Sequence, residues 1–195
     1  MYPLFLKLNN KPCLVIGGGD IAHRKTLSLL EAGADITLIS PDLTEELYAL
    51  VKNGSIQYKN RLFKNGDTRK FFLIIAATNS RKANQQIFKE AQKNDRLINC
   101  VDDPEYCNFY VPAQIKRGSL KIAISTEGKL PMLAKELKKL LDSRFPDNTG
   151  DRLNELAKMR FHILEQAGQD EDKKKQLFSE KLAPLLDALM EDLKL

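Results

Sequence analysis

Apolar residues along the chain gather in short runs, and each run is followed by a stretch of helical periodicity. Residues 11–16, KPCLVI, form the first run and meet Gly17-Gly18-Gly19. Residues 20–33 then place Ala22, Leu27, Leu29 and Leu30 at helical spacing before Gly33, which predicts strand, glycine turn and helix. Asp35 to Ile39 reads as a second strand closed by Ser40-Pro41-Asp42, and a helix from Thr44 to Lys52 stops at Asn53-Gly54. Ile56-Gln57-Tyr58 is a short third strand. The run Phe71 to Ala77 is continuously apolar, as a parallel strand covered on both faces must be. A helix is expected over residues 81–93 and a fifth strand over Leu97 to Val101, ending at Asp102-Asp103-Pro104. The order β-α-β-α-β-β-α-β predicts a wound α/β domain with a parallel sheet.

The second half changes character. Phe109 to Pro112 and Leu120 to Ser125 read as two further strands with a turn at Arg117-Gly118, and Pro131 opens a helix to about Asp142. The Pro, Asn and Gly of residues 145–150 predict a linker. Beyond it Leu153, Leu156, Ala157, Phe161 and Leu164, then Phe178, Leu182, Leu185, Leu186, Leu189 and Leu193, repeat at helical spacing with a polar interval at residues 168–175. An all-helical tail is expected, its apolar stripes covered by the front domain or by another subunit.

Composition narrows the function classes. The 195 residues are 43% apolar and 29% charged, as in an ordinary folded protein. Three cysteines without a C-x-x-C pair, and two histidines, give neither a disulfide framework nor a metal-ligand pattern, so no metal site is expected. No apolar run reaches membrane-spanning length and the opening MYPLFLKLNN lacks a secretory signal pattern, which points to a cytoplasmic protein without membrane association. The net charge of +5 is unevenly placed, because residues 151–195 carry 8 basic and 10 acidic residues and leave 23 and 16 to residues 1–150. The basic residues are dispersed without interleaved aromatics, so an anionic small molecule fits the charge and nucleic acid is not expected.

Gly17-Gly18-Gly19-Asp20-Ile21-Ala22 matches G-x-G-x-x-A between a strand and a helix, the context in which this pattern carries a dinucleotide. Gly17 takes the tight turn, Gly19 lets backbone approach a pyrophosphate, and the N–H groups opening the helix attract the anion. Asp42 follows the second strand, where an acid bonds the adenosine ribose. With Glu45 and Glu46 behind it and no Arg nearby in sequence, NAD is expected in preference to NADP. Thr78 stands at the end of the fourth strand, placed either to touch the cofactor or to cap the following helix. Asp102, at the same sheet edge, is the candidate proton acceptor for a dehydrogenation, with a pKa raised by partial burial, although Asp-Asp-Pro is also a good turn sequence and Asp103 is its neighbour.

Val15 to Lys25, Ala76 to Asn79, Asn99 to Asp103 and Ala123 to Pro131 together resemble precorrin-2 dehydrogenase, the NAD-dependent enzyme of sirohaem synthesis, in the short form without a fused methyltransferase domain. The resemblance implies a Rossmann-like domain over residues 1–112, a small dimerisation region over residues 113–145 and a helical C-terminal domain over residues 146–195, assembled as a homodimer. It implies oxidation of precorrin-2 to sirohydrochlorin, with the family's catalytic aspartate at Asp102. Cofactor contacts fall on Gly19, Asp20, Ile21, Pro41, Asp42 and, more loosely, Thr78. A serine phosphorylated in a fused relative aligns with Thr126. Arg24, Lys25, Arg117, Lys121 and Lys129 are candidates to steer the polycarboxylate tetrapyrrole. Two alternatives stay open: a bifunctional dehydrogenase and sirohydrochlorin ferrochelatase, and a non-catalytic NAD(H)-sensing module.

Overall fold

The computed structural model describes residues 1–193. They form two compact units that divide between Val111 and Pro112. The first is built on five parallel strands, β1 (Pro12–Ile16), β2 (Asp35–Ser40), β3 (Gln57–Asn60), β4 (Leu73–Ala76) and β5 (Leu97–Cys100), in the order β3-β2-β1-β4-β5. Three helices cover them: α1 (Asp20–Glu31), α2 (Glu45–Lys52) and α3 (Arg81–Lys93).

Alternation along each strand sorts the core into two layers. Cys13, Val15, Ile36, Leu38, Leu73 and Ile75 share one cluster with Ala22 and Leu29 of α1 and Leu47 of α2. Leu14, Ile16, Ile39, Ile74, Ala76 and Ile98 share the other with Ile87 and Ala91 of α3. This two-sided burial explains why the central strands read as unbroken apolar runs. Each fully buried leucine or isoleucine contributes about 2 kcal/mol. The wound order places a topological switch between β1 and β4, so the connections leaving their paired C-terminal ends run in opposite directions and open a crevice there.

The second unit begins with the antiparallel hairpin β6 (Ala113–Arg117) and β7 (Leu120–Ile124). The expected strand at Phe109 to Pro112 is therefore displaced: Pro112 has no N–H to give a ladder, and pairing starts at Ala113 opposite Ile124. The turn falls on Gly118-Ser119, with Gly118 at φ +58°. Helices α4 (Pro131–Arg144), α5 (Thr149–Ala167), α6 (Glu171–Leu177) and α7 (Ala183–Leu193) follow, with a π-type turn over Phe178–Leu182 joining the last two.

Residues 145–150 are not a free linker. Phe145, Thr149 and Gly150 are buried, and Gly150 lies so close to the hairpin turn that a β-carbon on it would come 2.8 Å from the Arg117 carbonyl carbon. Arg117 fastens the same place, donating from Nε to the Phe145 carbonyl at 2.6 Å and from Nη2 to the Asp142 carboxylate at 3.1 Å. The expected polar interval shrinks to three residues, because Asp170 accepts from the Lys173 N–H at 2.9 Å and starts α6. No helix among the described residues is long and apolar enough to cross a membrane.

Candidate functional site

A cleft of about 1080 Å³ opens at the C-terminal ends of β1, β2 and β4. Its lining includes Gly17, Gly19, Asp20, Ile21, Pro41, Asp42 and Thr78, so the crevice gathers these residues on one wall system.

The three glycines do different work. Gly17 has φ +120°, donates to the Ile39 carbonyl at 2.9 Å, and a β-carbon on it would collide with the Ala77 backbone. Gly18, which sequence reasoning passed over, accepts from the Thr44 N–H at 2.9 Å, and a β-carbon there would clash with the Asp42 backbone. Both are needed by the fold. Gly19 is different: a β-carbon there would meet nothing within 4 Å. The fold itself leaves that space open at a residue that lines the cleft, so backbone there is free to approach a ligand. Gly19 is also the N-cap of α1 and supplies no side-chain acceptor to the first N–H groups. By contrast, Thr44 caps α2 through the Leu47 N–H and Ser80 caps α3 through the Ala83 N–H. These open amides suit an anion, and the site fits a dinucleotide pyrophosphate.

Thr78 is not the cap of α3, a role that belongs to Ser80. Its hydroxyl donates to Asn84 Oδ1 at 2.7 Å, and Asn84 Nδ2 returns a bond to the Thr78 carbonyl at 3.2 Å. The pair stiffens the β4–α3 turn at the cleft floor. At the far side Asp42 is exposed, and Tyr58 of β3 donates to the Ser40 carbonyl at 2.9 Å.

The loop after β3 brings Arg61, Leu62 and Phe63 into the lining, which the linear reading missed. The signal lay in sheet order: β3 lies beside β2, with Asn60 in register with Ser40, so the residue after β3 reaches the edge occupied by Pro41 and Asp42. An arginine is therefore present where the spacing in sequence showed none.

Asp102 stands two residues beyond β5 at the same sheet edge, outside the cleft lining. It is exposed rather than partly buried and adopts the left-handed conformation, φ +60°. Its neighbour Asp103 is engaged by Arg81, Nε to Oδ2 at 3.1 Å. Asp103 is thus held by Arg81 and gives no side-chain cap to the short helix that follows, whereas the Asp102 carboxylate makes no hydrogen bond or ion pair among the described residues. Half-buried Lys25 of α1 lies within its electrostatic reach; burial and the adjacent Arg24 hold Lys25 below the ordinary lysine range, and Asp102 and Cys107 oppose that shift. Arg117, by contrast, is spent on Phe145 and Asp142 and is withdrawn from the set of steering cations. Among the described residues no group of three or more His, Cys, Asp or Glu side chains is placed to hold a metal ion.

Two family models match. One, described as putative NAD(P)-binding, covers residues 4–113, and one described as sirohaem biosynthesis protein central covers residues 117–144. A solved structure titled SirC, precorrin-2 dehydrogenase, superposes with a TM-score of 0.79 at 29% identity, over 98% of this chain and 100% of that one. The chain belongs to the family described as putative NAD(P)-binding, followed by a sirohaem biosynthesis central segment.

Curated members similar to it include a sirohaem synthase of Mannheimia succiniciproducens, 36% identical over 165 residues, and sirohaem synthase 3 of Aeromonas hydrophila, 38% identical over 165 residues. They cover 85% and 82% of this chain, whereas the chain spans only 35% of the length of each. The fold expected of a precorrin-2 dehydrogenase, a parallel α/β sheet followed by a small antiparallel sheet and C-terminal helices, is the one observed. A nicotinamide cofactor accompanies the NAD(P)-binding family.

Proposed function

We propose that this chain oxidises precorrin-2 to sirohydrochlorin with NAD⁺ as hydride acceptor. The observation that carries the reading is the open face of Gly19 at the uncapped start of α1, facing a cleft large enough for a dinucleotide. Gly17 shapes the turn, and the amides of Asp20 and Ile21 receive the pyrophosphate. Pro41 and Asp42 border the adenosine ribose, and Thr78 borders the crevice at the switch point. The exposed carboxylate of Asp42, with Glu45 and Glu46 in the first turn of α2, disfavours a 2′-phosphate and so favours NAD over NADP.

The bound nicotinamide supplies a hydride acceptor. The remaining proton of the two-hydrogen oxidation goes to Asp102, whose uncommitted carboxylate has its lone pairs available for it. An aspartate tolerates φ +60° better than most residues, and that conformation fixes the direction in which the side chain leaves the backbone. The excess of basic residues over residues 1–150 attracts a substrate bearing many carboxylates. Leu133, Leu137 and Leu140 lie exposed at helical spacing on α4, which supports assembly with a second copy of the chain.

Mixing the protein with NAD⁺ and precorrin-2 under anaerobic conditions tests the reading. NADH absorbance and the sirohydrochlorin spectrum should rise together, and a rate equal to the protein-free blank would refute it.

A further inference from the structure

Arg61 belongs to the cleft, and its charge has already been claimed. Nη1 donates to Asp67 Oδ2 at 2.6 Å and Nη2 to Oδ1 at 2.7 Å, the parallel fork that an arginine makes with one carboxylate. Nη1 also donates to the Leu62 carbonyl at 3.0 Å. The pair is well shielded, with the two side chains 29% and 13% exposed. Asp67 is held in turn by the Lys64 N–H at 2.8 Å. The loop beneath it is clamped by Glu90 of α3, which accepts from the Gly66 N–H at 2.8 Å and from the Thr68 N–H at 3.0 Å.

We infer that Asp67 is a specificity-determining residue: by occupying the Arg61 guanidinium it keeps the adenosine end of the cleft from offering a cation to a 2′-phosphate. An unpaired arginine at this edge has the geometry to take two phosphate oxygens at once. With Asp67 on its fork, what faces the ribose is the exposed carboxylate of Asp42. Discrimination between the two nicotinamide dinucleotides then rests on a residue outside the cleft, acting through one inside it. This inference rests on the proposed cofactor site and adds the device that sets its preference.

Asp67→Asn is the informative change. Asparagine retains an acceptor for the Lys64 N–H, and the Glu90 clamp is untouched, so the loop keeps its anchor. Calorimetric titration with NAD⁺ and with NADP⁺ should show the ratio of NADP⁺ to NAD⁺ affinity rising by about tenfold, the worth of a charge-assisted hydrogen-bond pair. Adding Arg61→Gln to Asp67→Asn should cancel the rise. An unchanged ratio in Asp67→Asn protein that unfolds cooperatively overturns the inference. Should that variant not fold, Arg61→Gln alone decides: a preserved ratio agrees with an arginine already neutralised, and a loss of NADP⁺ affinity relative to NAD⁺ overturns it. If the parent binds neither nucleotide, the cofactor site itself falls and the inference with it. If it binds NAD⁺ while the Asp67→Asn ratio stays flat, only the inference falls.

Discussion

The carbonyl of Ala77 occupies the space into which a β-carbon on Gly17 would project. This close approach joins the end of β1 to the end of β4 at the switch point.

Gly17→Ala should therefore damage the fold before it touches any ligand. The residue sits at φ +120°, which L side chains rarely adopt, and the neighbour it would strike is backbone. A loss of about 3 kcal/mol is expected, read from the urea midpoint. An unaltered midpoint would mean that β4 yields at no cost.

Gly19→Ala should behave in the opposite way. Nothing stands within 4 Å of the added carbon and the backbone there is ordinary, so the unfolding curve should stay within about 0.5 kcal/mol of the parent. NAD⁺ affinity should fall by about tenfold or more, because the methyl group takes the space reserved for the pyrophosphate. Normal binding by this variant would place the cofactor elsewhere.

Reading along the chain found β1, β2, β4 and β5 because burial on both faces leaves an apolar signature in them, whereas the exposed β3 showed only a short run before its turn. It placed the glycine turn of Gly17 and Gly19 because a strand–glycine–helix junction is local. What it missed depends on neighbours distant in sequence. Arg61 reaches the cleft only because β3 lies beside β2, and no spacing between residues 42 and 61 announces that. Residues 145–150 have the composition of a linker, yet Gly150 is there to clear the Gly118 turn, a constraint visible only once the hairpin is placed. The ion pair that engages Asp103 and leaves Asp102 uncommitted likewise depends on Arg81, far off in sequence.

The buried thiols should resist alkylation in the native protein. Burial, with Asp35 adding to it, pushes Cys13 up to about 11, and burial, with Cys107 and Asp103 adding, pushes Cys100 up to about 12. The thiolate is the reactive form, so both are protonated as well as shielded near neutral pH. Mass spectrometry after iodoacetamide treatment should show Cys13 and Cys100 labelled only when denaturant is present. Equal labelling in its absence would contradict the packing of β1 and β5.

The Arg61–Asp67 pair should make part of the stability acid-labile. Burial pushes the Asp67 carboxyl up, but hydrogen bonds from Arg61 and the Lys64 N–H outweigh it and hold the group below its ordinary value of 3.8. A group depressed in the folded state stabilises above its unfolded pKa, and that contribution is lost as the pH falls through the folded one. Parent protein should exceed Asp67→Asn by about 2 kcal/mol at neutral pH. The gap should close as the pH drops below 3.8, followed by urea unfolding across that range. A gap independent of pH would assign the difference to loop packing rather than to the charge.

Asp102→Asn separates chemistry from binding. Asparagine has nearly the same volume and is among the residues that tolerate the left-handed conformation at φ +60°, so the turn after β5 should survive. The exchange removes the proton acceptor, a contribution of about a hundredfold or more, and NADH formation from precorrin-2 should fall accordingly. NAD⁺ affinity should stay close to that of the parent, because Asp102 does not line the cleft. Asp103→Asn is the matched control: it weakens the contact with Arg81 at 3.1 Å and should affect the turn more than the turnover. If the Asp103 variant loses turnover while the Asp102 variant keeps it, the roles are reversed. If both keep it, the proton leaves by way of solvent and neither carboxylate takes part in the reaction.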